Sequence, residues 1–267
     1  MPRRTNEQIT SVRYYDCGYC VNELSIVYRK HRREKRVFPA GVFLIKHPTR
    51  GYVLFDTGYS QSIYKNGFRG WLYRTFNPTH VTRHDEIATQ LQKDGISTDD
   101  IRYVILSHLH PDHIGGVRFF PKSTIVITDG SYHTYKRPHW NDVLFRKLLP
   151  IWFEKKLHVL RKGDQQEFQD GLYGYDLFND GSILLVELEG HTHGHLGAYI
   201  PNKLLLAGDA CWGGDLIEYS KHLRLPIRLV HNDYRKFKES LNQLEALQAK
   251  GIRLYFSHDQ YSKKELL

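Results

Sequence analysis

The stretch SHLHPDHIGG, residues 107–116, carries three histidines and one aspartate directly after an apolar run. Imidazole and carboxylate groups are the usual nitrogen and oxygen ligands of zinc and similar divalent cations. A His-x-His pair lets His108 and His110 reach one cation, and Asp112 and His113 can turn towards a second one. Because such donors gain little from crowding without a cation, the loop predicts a site for two metal ions.

Three further donors each follow an apolar run later in the chain. His191 follows LLVELEG, Asp209 follows LLLAG, and His258 follows LYFS. A carboxylate such as that of Asp209 can bridge two cations and hold them roughly 3.5–4 Å apart. The Gly-Gly pair at 115–116 allows a tight turn or close packing beside the histidine loop. We therefore predict that these side chains converge on a single metal site.

The segments that must position these donors alternate between strands and helices. VFPAGVFLIKH and GYVLFD indicate a hairpin that ends at Asp56, and HDEIATQLQKDG indicates a helix that stops at Gly95. IRYVILS predicts the buried strand from which the histidine loop emerges. STIVITDG, SILLVELEG, KLLLAGD and IRLYF are also strand-like, and NDYRKFKESLNQLEALQAKG has the clearest apolar helix face. Open α/β sheets commonly place their ligands at such strand ends.

Length and composition fit one folded domain. The chain has 267 residues, of which 40% are hydrophobic and 25% are charged, close to the averages of globular proteins. The formal net charge of +9 is compatible with an anionic partner. The only dense basic cluster, residues 29–36, is however typical of a solvated loop. Nucleic acid is therefore an open partner but not the favoured one.

The cysteines and the apolar runs bear on location. The three cysteines fit a reducing compartment, and we expect the lone Cys17-x-x-Cys20 pair to be ordinary thiols and Cys211 a small buried residue. The N-terminal MPRRTNEQIT has no apolar signal segment, and no apolar run approaches the roughly 18 residues that cross a bilayer. We predict a cytoplasmic protein without a membrane partner, and the oligomeric state stays open, a dimer included.

The seven donors resemble those of the metallo-β-lactamase-fold hydrolases. His108-x-His110-x-Asp112-His113, Gly190-His191, Gly208-Asp209 and Ser257-His258 occur in the order and approximate spacing of that superfamily. LFDTG, which contains Asp56, resembles an element from the first half of its members, so the match extends from about residue 40 to about residue 260. The chain length, the GDA carboxylate and the SHDQ segment are most similar to the N-acyl-homoserine lactonase group.

The resemblance implies a fold, a metal centre and a reaction. The fold would be an αββα sandwich, an α/β (α+β) arrangement of two mixed sheets flanked by helices, in one domain over residues 1–267. Two divalent cations would be bound, with zinc favoured over manganese, iron or cobalt. The first would be held by His108, His110 and His191, and the second by Asp112, His113 and His258, with Asp209 as the bridge.

The expected reaction is hydrolysis of a small-molecule ester or lactone, in which a metal-bridging hydroxide attacks the carbonyl group. Asp209 and Asp112 are the expected catalytic carboxylates, and Asp112 would also relay a proton to the leaving group. Two other reactions remain open on the residues alone. One is two-metal phosphodiester hydrolysis, as in a nuclease, and the other is a non-hydrolytic thiol dioxygenase of the same fold with one iron.

Several nearby residues are expected to support the site rather than bind metal. Asp56 would orient a ligand histidine. His195 matches the second histidine of the family's Gly-His-x-x-Gly-His pattern, and His193 stands where relatives usually carry proline. Trp212 occupies the position of a tyrosine in the lactonases and offers only an indole N–H, so it is expected either to line the pocket or to pack in the core.

Overall fold

The computed structural model describes residues 8–139, 141–168 and 171–267, and the first seven residues, judged above to lack a signal segment, lie outside it. The strands are β1 Ser11–Glu23, β2 Lys35–His47, β3 Gly51–Phe55, β4 Thr79–His80, β5 Ile101–Ile105, β6 Thr124–Thr128, β7 Leu157–Leu160, β8 Gln166–Glu167, β9 Tyr173–Asp176, β10 Leu184–Glu187, β11 Leu196–Ile200, β12 Leu204–Leu206 and β13 Arg253–Tyr255. The α-helices are α1 Leu24–Val27, α2 Gly67–Phe76, α3 Ile87–Lys93, α4 Pro111–Ile114, α5 Asp129–Lys136, α6 Ile217–Ser220, α7 Leu225–Arg228 and α8 Tyr234–Ala249.

These strands form two mixed sheets. The first has the order β4-β1-β2-β3-β5-β6-β7, in which β1, β2 and β3 pair antiparallel while β3, β5, β6 and β7 pair parallel. The second has the order β13-β12-β11-β10-β9-β8, with one parallel pair, β12 with β13. Parallel pairing needs helical crossovers, which explains the alternation of strands and helices along the chain.

The central strands are mostly apolar because both of their faces are largely buried. Side chains of a strand alternate between its two faces, so Phe43 and Ile45 of β2 pack between the sheets while Val42 and Leu44 pack under the helices. In the second sheet Leu185 likewise lies between the sheets. Its neighbours on β10 pack against α8, whose apolar face consists of Phe237, Leu241, Leu244 and Leu247. The four layers, helix-sheet-sheet-helix, confirm the predicted αββα fold class.

Two regions show no clear pattern in the sequence, the N-terminal segment around residues 14–28 and residues 132–156. The N-terminal segment forms the long strand β1, whose pairing with β2 is interrupted by a register shift between Asp16 and Tyr19. The unpatterned region 132–156 contains the end of α5 and short 3-10 turns at Arg146–Leu148 and Phe153–Lys156, with residue 140 outside the described residues. Cys17 and Cys20 are free and buried in different core clusters, as expected of ordinary thiols, and Cys211 is buried too.

Candidate metal centre

The predicted donors lie at one edge of the sandwich because five strands end there. Asp56 directly follows β3, and His108 and Asp209 each lie three residues after the ends of β5 and β12. His191 and His258 similarly follow β10 and β13. Since β3 is parallel to β5 and β12 is parallel to β13, their carboxyl ends share an edge within each sheet. All seven predicted ligands are buried there.

The histidine loop is shaped by a single helical turn, α4. His110 occupies the N-cap position of this turn with Pro111 after it, so Asp112 and His113 project from the turn while His110 stays outside it. The two following glycines allow the chain to approach its neighbour closely. A Cβ on Gly115 would lie 2.6 Å from the Gly58 carbonyl oxygen, and one on Gly116 would lie 2.5 Å from that of Thr57. The predicted close packing is present.

The donors gather into two groups. His108, His110, His191 and Asp209 form one, and Asp112, His113 and His258 form the other; within each group the candidate ligand atoms lie within 4.8 Å of one another. These groups match the two ligand sets expected from the sequence, and the spacing is short enough for each to hold one cation. In the first group, His191 Nε2 is 3.1 Å from His110 Nδ1.

Asp209 lies between the two groups. Its Oδ2 is 3.5 Å from His191 Nε2 and 4.0 Å from His108 Nε2. The same oxygen is 3.0 Å from His258 Nε2, and Oδ1 is 3.2 Å from His113 Nε2. One carboxylate therefore touches histidines of both groups, which is the position that a bridging ligand requires.

Asp56 supports one histidine from each group. Its Oδ2 accepts a hydrogen bond of 2.7 Å from His113 Nδ1. It also accepts bonds of 2.8 Å from the backbone N–H and from the hydroxyl of Ser107. Because that hydroxyl donates to Asp56, His108 Nδ1 donates to the Ser107 oxygen over 3.0 Å. Asp56 thus fixes the rings of His113 and His108 with Nε2 turned inwards, as expected of a carboxylate that orients ligands.

Other polar groups outside the two sets position His258 and Asp209. His258 Nδ1 donates to the carbonyl oxygen of Pro39 over 2.6 Å, which leaves its Nε2 free to face Asp209. His195 Nε2 accepts a hydrogen bond of 3.0 Å from the backbone N–H of Asp209. The structure therefore places His195 behind Asp209, in the supporting position expected of it.

The histidines of the first group are held in the neutral form. Burial, reinforced by the neighbouring histidines, lowers the pKa of His108 and of His191 well below its usual value. Burial also lowers the pKa of His110 to about 3. Neutral imidazole has the lone pair that a metal ion needs, so this group is prepared for a cation at neutral pH.

Carboxylates govern the second group. Burial lowers the pKa of His113 and His258, but the nearby carboxylates, with Asp209 foremost, together outweigh it and raise both above the usual range. Burial raises the pKa of Asp112, whose Oδ2 is 3.8 Å from His113 Nε2 and 3.6 Å from His258 Nε2. Without a cation, protons bound to these histidines supply the positive charge that stabilises the neighbouring carboxylates.

Unpaired buried atoms show that the residues fit metal ions. His108 Nε2, His113 Nε2 and Asp209 Oδ1 are buried and have no hydrogen-bond partner among the described residues. Leaving such groups unpaired costs roughly 1–3 kcal/mol each, and all three face the centre of the cluster. Cations bound there would satisfy all of them at once, and nitrogen with carboxylate oxygen is a donor set suited to zinc.

Two aromatic side chains, Trp212 and His231, border the first group. The ring of Trp212 is 6.2 Å from that of His191, and its Nε1 is buried without a partner in the described structure. Trp212 also packs against the core below α8, so it both borders the site and fills the core. His231 is buried with its ring 5.1 Å from that of His191, and His193 is exposed.

Ser107, the Pro39 carbonyl and His231 are not predicted from the sequence. Ser107 directly precedes the histidine motif, and this position is the one signal that points to it. The other two carry no local signal, because the contact of His258 with Pro39 joins residues 219 positions apart.

Sequence comparison assigns the family. Residues 36–254 match the model of the metallo-beta-lactamase superfamily, which is most of the chain. The chain belongs to this superfamily, as its motifs predicted.

Relatives and solved structures agree with this assignment. The metallo-hydrolase mfmC of Annulohypoxylon moriforme is 29% identical over 70% of this chain and 52% of its own length. The N-acyl homoserine lactonase AttM of Azorhizobium caulinodans is 29% identical over 65% of each protein. The chain thus spans less than two thirds of the length of both. The fold superposes with a TM-score of 0.71 on the structure of an N-acyl homoserine lactone hydrolase that has N-hexanoyl-L-homoserine bound at its catalytic metal centre. The two chains are 21% identical, and the superposition covers 94% of each. These relatives support the predicted enzyme class, a metal-dependent hydrolase.

Proposed function

We propose that this protein is a dinuclear-metal hydrolase that cleaves a small carboxylic ester or lactone. In this proposal zinc is the favoured metal, and Asp209 bridges the two cations. One cation is held by His108, His110 and His191, and the other by Asp112, His113 and His258.

The position of Asp209 is the observation that carries the proposal. Its two oxygens lie 3.0–3.5 Å from the Nε2 atoms of His258, His113 and His191, which come from both groups. A buried carboxylate among buried imidazoles, where the Nε2 atoms of His108 and His113 have no hydrogen-bond partner in the described structure, is costly for a protein unless cations neutralise it.

The chemistry divides between the cations and the chain. Two bound divalent cations lower the pKa of water and polarise a carbonyl oxygen. The chain's own contribution is to keep the first-group imidazoles neutral by burial and to fix ring orientation through Asp56, Ser107 and the Pro39 carbonyl. Asp112, which lies beside His113 and His258, would take up a proton at a carboxyl oxygen during the reaction and pass it to the leaving group.

A lactone or ester substrate is supported by the lactonase relative and by the metal-ligand motif. Trp212 departs from the lactonases, which carry a tyrosine at this position. Its buried indole N–H is the only hydrogen-bond donor that the side chain offers, so the substrate range should differ from theirs. For this reason the proposal includes simple esters beside lactones.

Two general expectations belong to the same proposal. We infer that residues 1–267 form one domain, since residues of both sheets, such as Phe43 and Leu185, share one core cluster. A cytoplasmic location is supported by three free, buried cysteines. Among the described residues, no helix combines the length and apolar character needed to cross a membrane.

The decisive experiment measures metal content and turnover together. Zinc-loaded protein should contain two metals per chain and hydrolyse acyl lactones or aryl esters. His191→Ala should lower the metal content and abolish turnover, whereas His193→Ala, which removes an exposed histidine from the same loop, should leave both unchanged. Full occupancy by two metals without turnover of either substrate class contradicts the proposal.

The same preparation separates the alternative reactions. Turnover of a phosphodiester together with salt-sensitive binding of RNA or DNA would favour the nuclease. A single iron per chain would favour the dioxygenase, and either result would replace the ester and lactone hypothesis.

A further inference from the structure

Helix α2 carries an apolar face that points to solvent. Phe68, Trp71, Leu72 and Phe76 are 73%, 54%, 41% and 71% exposed, and we call these four residues the outer face of α2. Their spacing of three, one and four residues places them along one side of the helix. Tyr64, in the 3-10 turn that precedes α2, is also 44% exposed. Contiguous exposed apolar surface of this kind usually marks a contact with another molecule.

The opposite side of α2 is anchored, so the outer face cannot turn inwards. Tyr73 donates or accepts a hydrogen bond of 2.7 Å with the buried Tyr59, and its ring packs edge-on against Phe145 at 5.5 Å. Gly70 is buried against the preceding turn, where a Cβ would lie 2.6 Å from the Asn66 Cβ. These contacts hold the four apolar side chains outwards in the folded protein.

Positive charge predominates around the outer face. Residues 61–84 include four Lys or Arg residues and no Asp or Glu, and of the two acidic residues that follow, Glu86 accepts a hydrogen bond of 2.9 Å from the Gln61 backbone N–H. Arg74 is engaged, since it donates to the Ile63 carbonyl over 2.8 Å and lies over the Tyr64 ring. Lys65 and Arg69 are exposed, and neither makes an ion pair with any residue in the described part of the chain. The surface thus combines large aromatic groups with uncompensated positive charge.

We propose that the outer face of α2 docks the protein onto an anionic phospholipid bilayer. Aromatic and leucine side chains on one face, with Lys and Arg beside them, are the features by which helices lie in the headgroup region of membranes. A second copy of this chain fits less well, because a symmetric contact through this face would bring Lys65 and Arg69 towards their own copies. This proposal departs from the sequence-based expectation of no membrane partner, which rested on the lack of a bilayer-spanning segment, whereas α2 is a ten-residue surface helix.

Vesicle binding tests this proposal and does not depend on the hydrolase activity. The full-length protein is sedimented with vesicles of phosphatidylcholine containing phosphatidylserine, and with vesicles of phosphatidylcholine alone. We expect binding to the anionic vesicles that weakens as salt is added. Phe68→Ser with Trp71→Ser should weaken it by at least about tenfold, because two aromatic side chains no longer enter the headgroup region.

The matched control is Ile26→Ser, which removes a 62% exposed apolar side chain outside α2 and should leave binding unchanged. Lys65→Gln with Arg69→Gln should weaken binding to the anionic vesicles and reduce its dependence on salt. Failure of the wild-type protein to bind anionic vesicles at low salt overturns the proposal, as does equal binding by the Phe68/Trp71 variant. Sedimentation equilibrium that shows a dimer dissociated by that variant would assign the outer face to a second copy instead.

Discussion

Replacing Asp56 by asparagine should weaken the metal centre without distorting the chain. Asp56 has a φ of +61°, a conformation that asparagine tolerates about as well as aspartate. The two side chains also have the same shape, so backbone strain and packing stay constant. What changes is the atom that faces His113, since an NH2 group can take the place of a carboxylate oxygen.

The magnitude follows from the three hydrogen bonds that Asp56 accepts. The asparagine oxygen can keep the bond with the Ser107 N–H, now 2.8 Å, but its NH2 group then faces His113 Nδ1, now 2.7 Å from an oxygen. His113 would have to move its proton to Nε2, the atom turned towards Asp209. Loss of a group that orients a metal ligand typically costs 10–100-fold in affinity, about 1.4–2.7 kcal/mol.

Competition with a chromophoric zinc chelator measures this effect. One of the two zinc ions should bind about 10–100-fold more weakly in Asp56→Asn than in the wild type. The control is Asp99→Asn, which makes the same chemical change at a 51% exposed side chain paired with Lys122 over 2.6 Å. That surface change should shift neither zinc affinity nor stability by more than about 0.5 kcal/mol. Wild-type affinity for both ions in Asp56→Asn would refute the role assigned to this carboxylate.

Three further outcomes follow from the same geometry. Removing metal with a chelator at neutral pH should lower the melting temperature in calorimetry, because binding of metal to the folded site alone stabilises the fold. An unchanged temperature argues against metal at this site. Gly115→Ala should destabilise the protein by about 1–3 kcal/mol in urea titrations, because the new Cβ would lie 2.6–2.9 Å from backbone atoms. As a control, Gly163→Ala should barely change stability, because no atom lies within 4 Å of its Cβ. Burial lowers the pKa of His231 from 6.5 to about 4, so the unfolded chain takes up a proton first and the free energy of unfolding falls as the pH drops from 6.5 to about 4. His231→Gln should make this fall less steep in the metal-free protein. An equal slope in the variant and the wild type would contradict the prediction.

The sequence alone determined the elements and the ligands that follow them. Strands such as β5 and β12 are buried on both faces, which produces apolar runs whose ends are visible where a polar residue appears. The histidine loop contains four donors within six residues, 108–113, so metal binding can be predicted from this short segment alone. The family resemblance supplied the assignment of donors to two sets, which spacing by itself left open.

Only the tertiary structure decided which groups support those ligands and which apolar surface stays exposed. Asp56 meets Ser107 and His113 because β3 pairs with β5, and Pro39 meets His258 because the segment after β13 packs against β2 of the other sheet. Such contacts join residues far apart in the chain and follow from strand pairing, which no local pattern encodes. The outer face of α2 would have the same sequence pattern whether it faced the core or solvent, because a periodicity of 3.6 residues defines one side of a helix but not what that side contacts. Its direction is set by Tyr73, whose hydrogen bond to Tyr59 forms only in the folded protein.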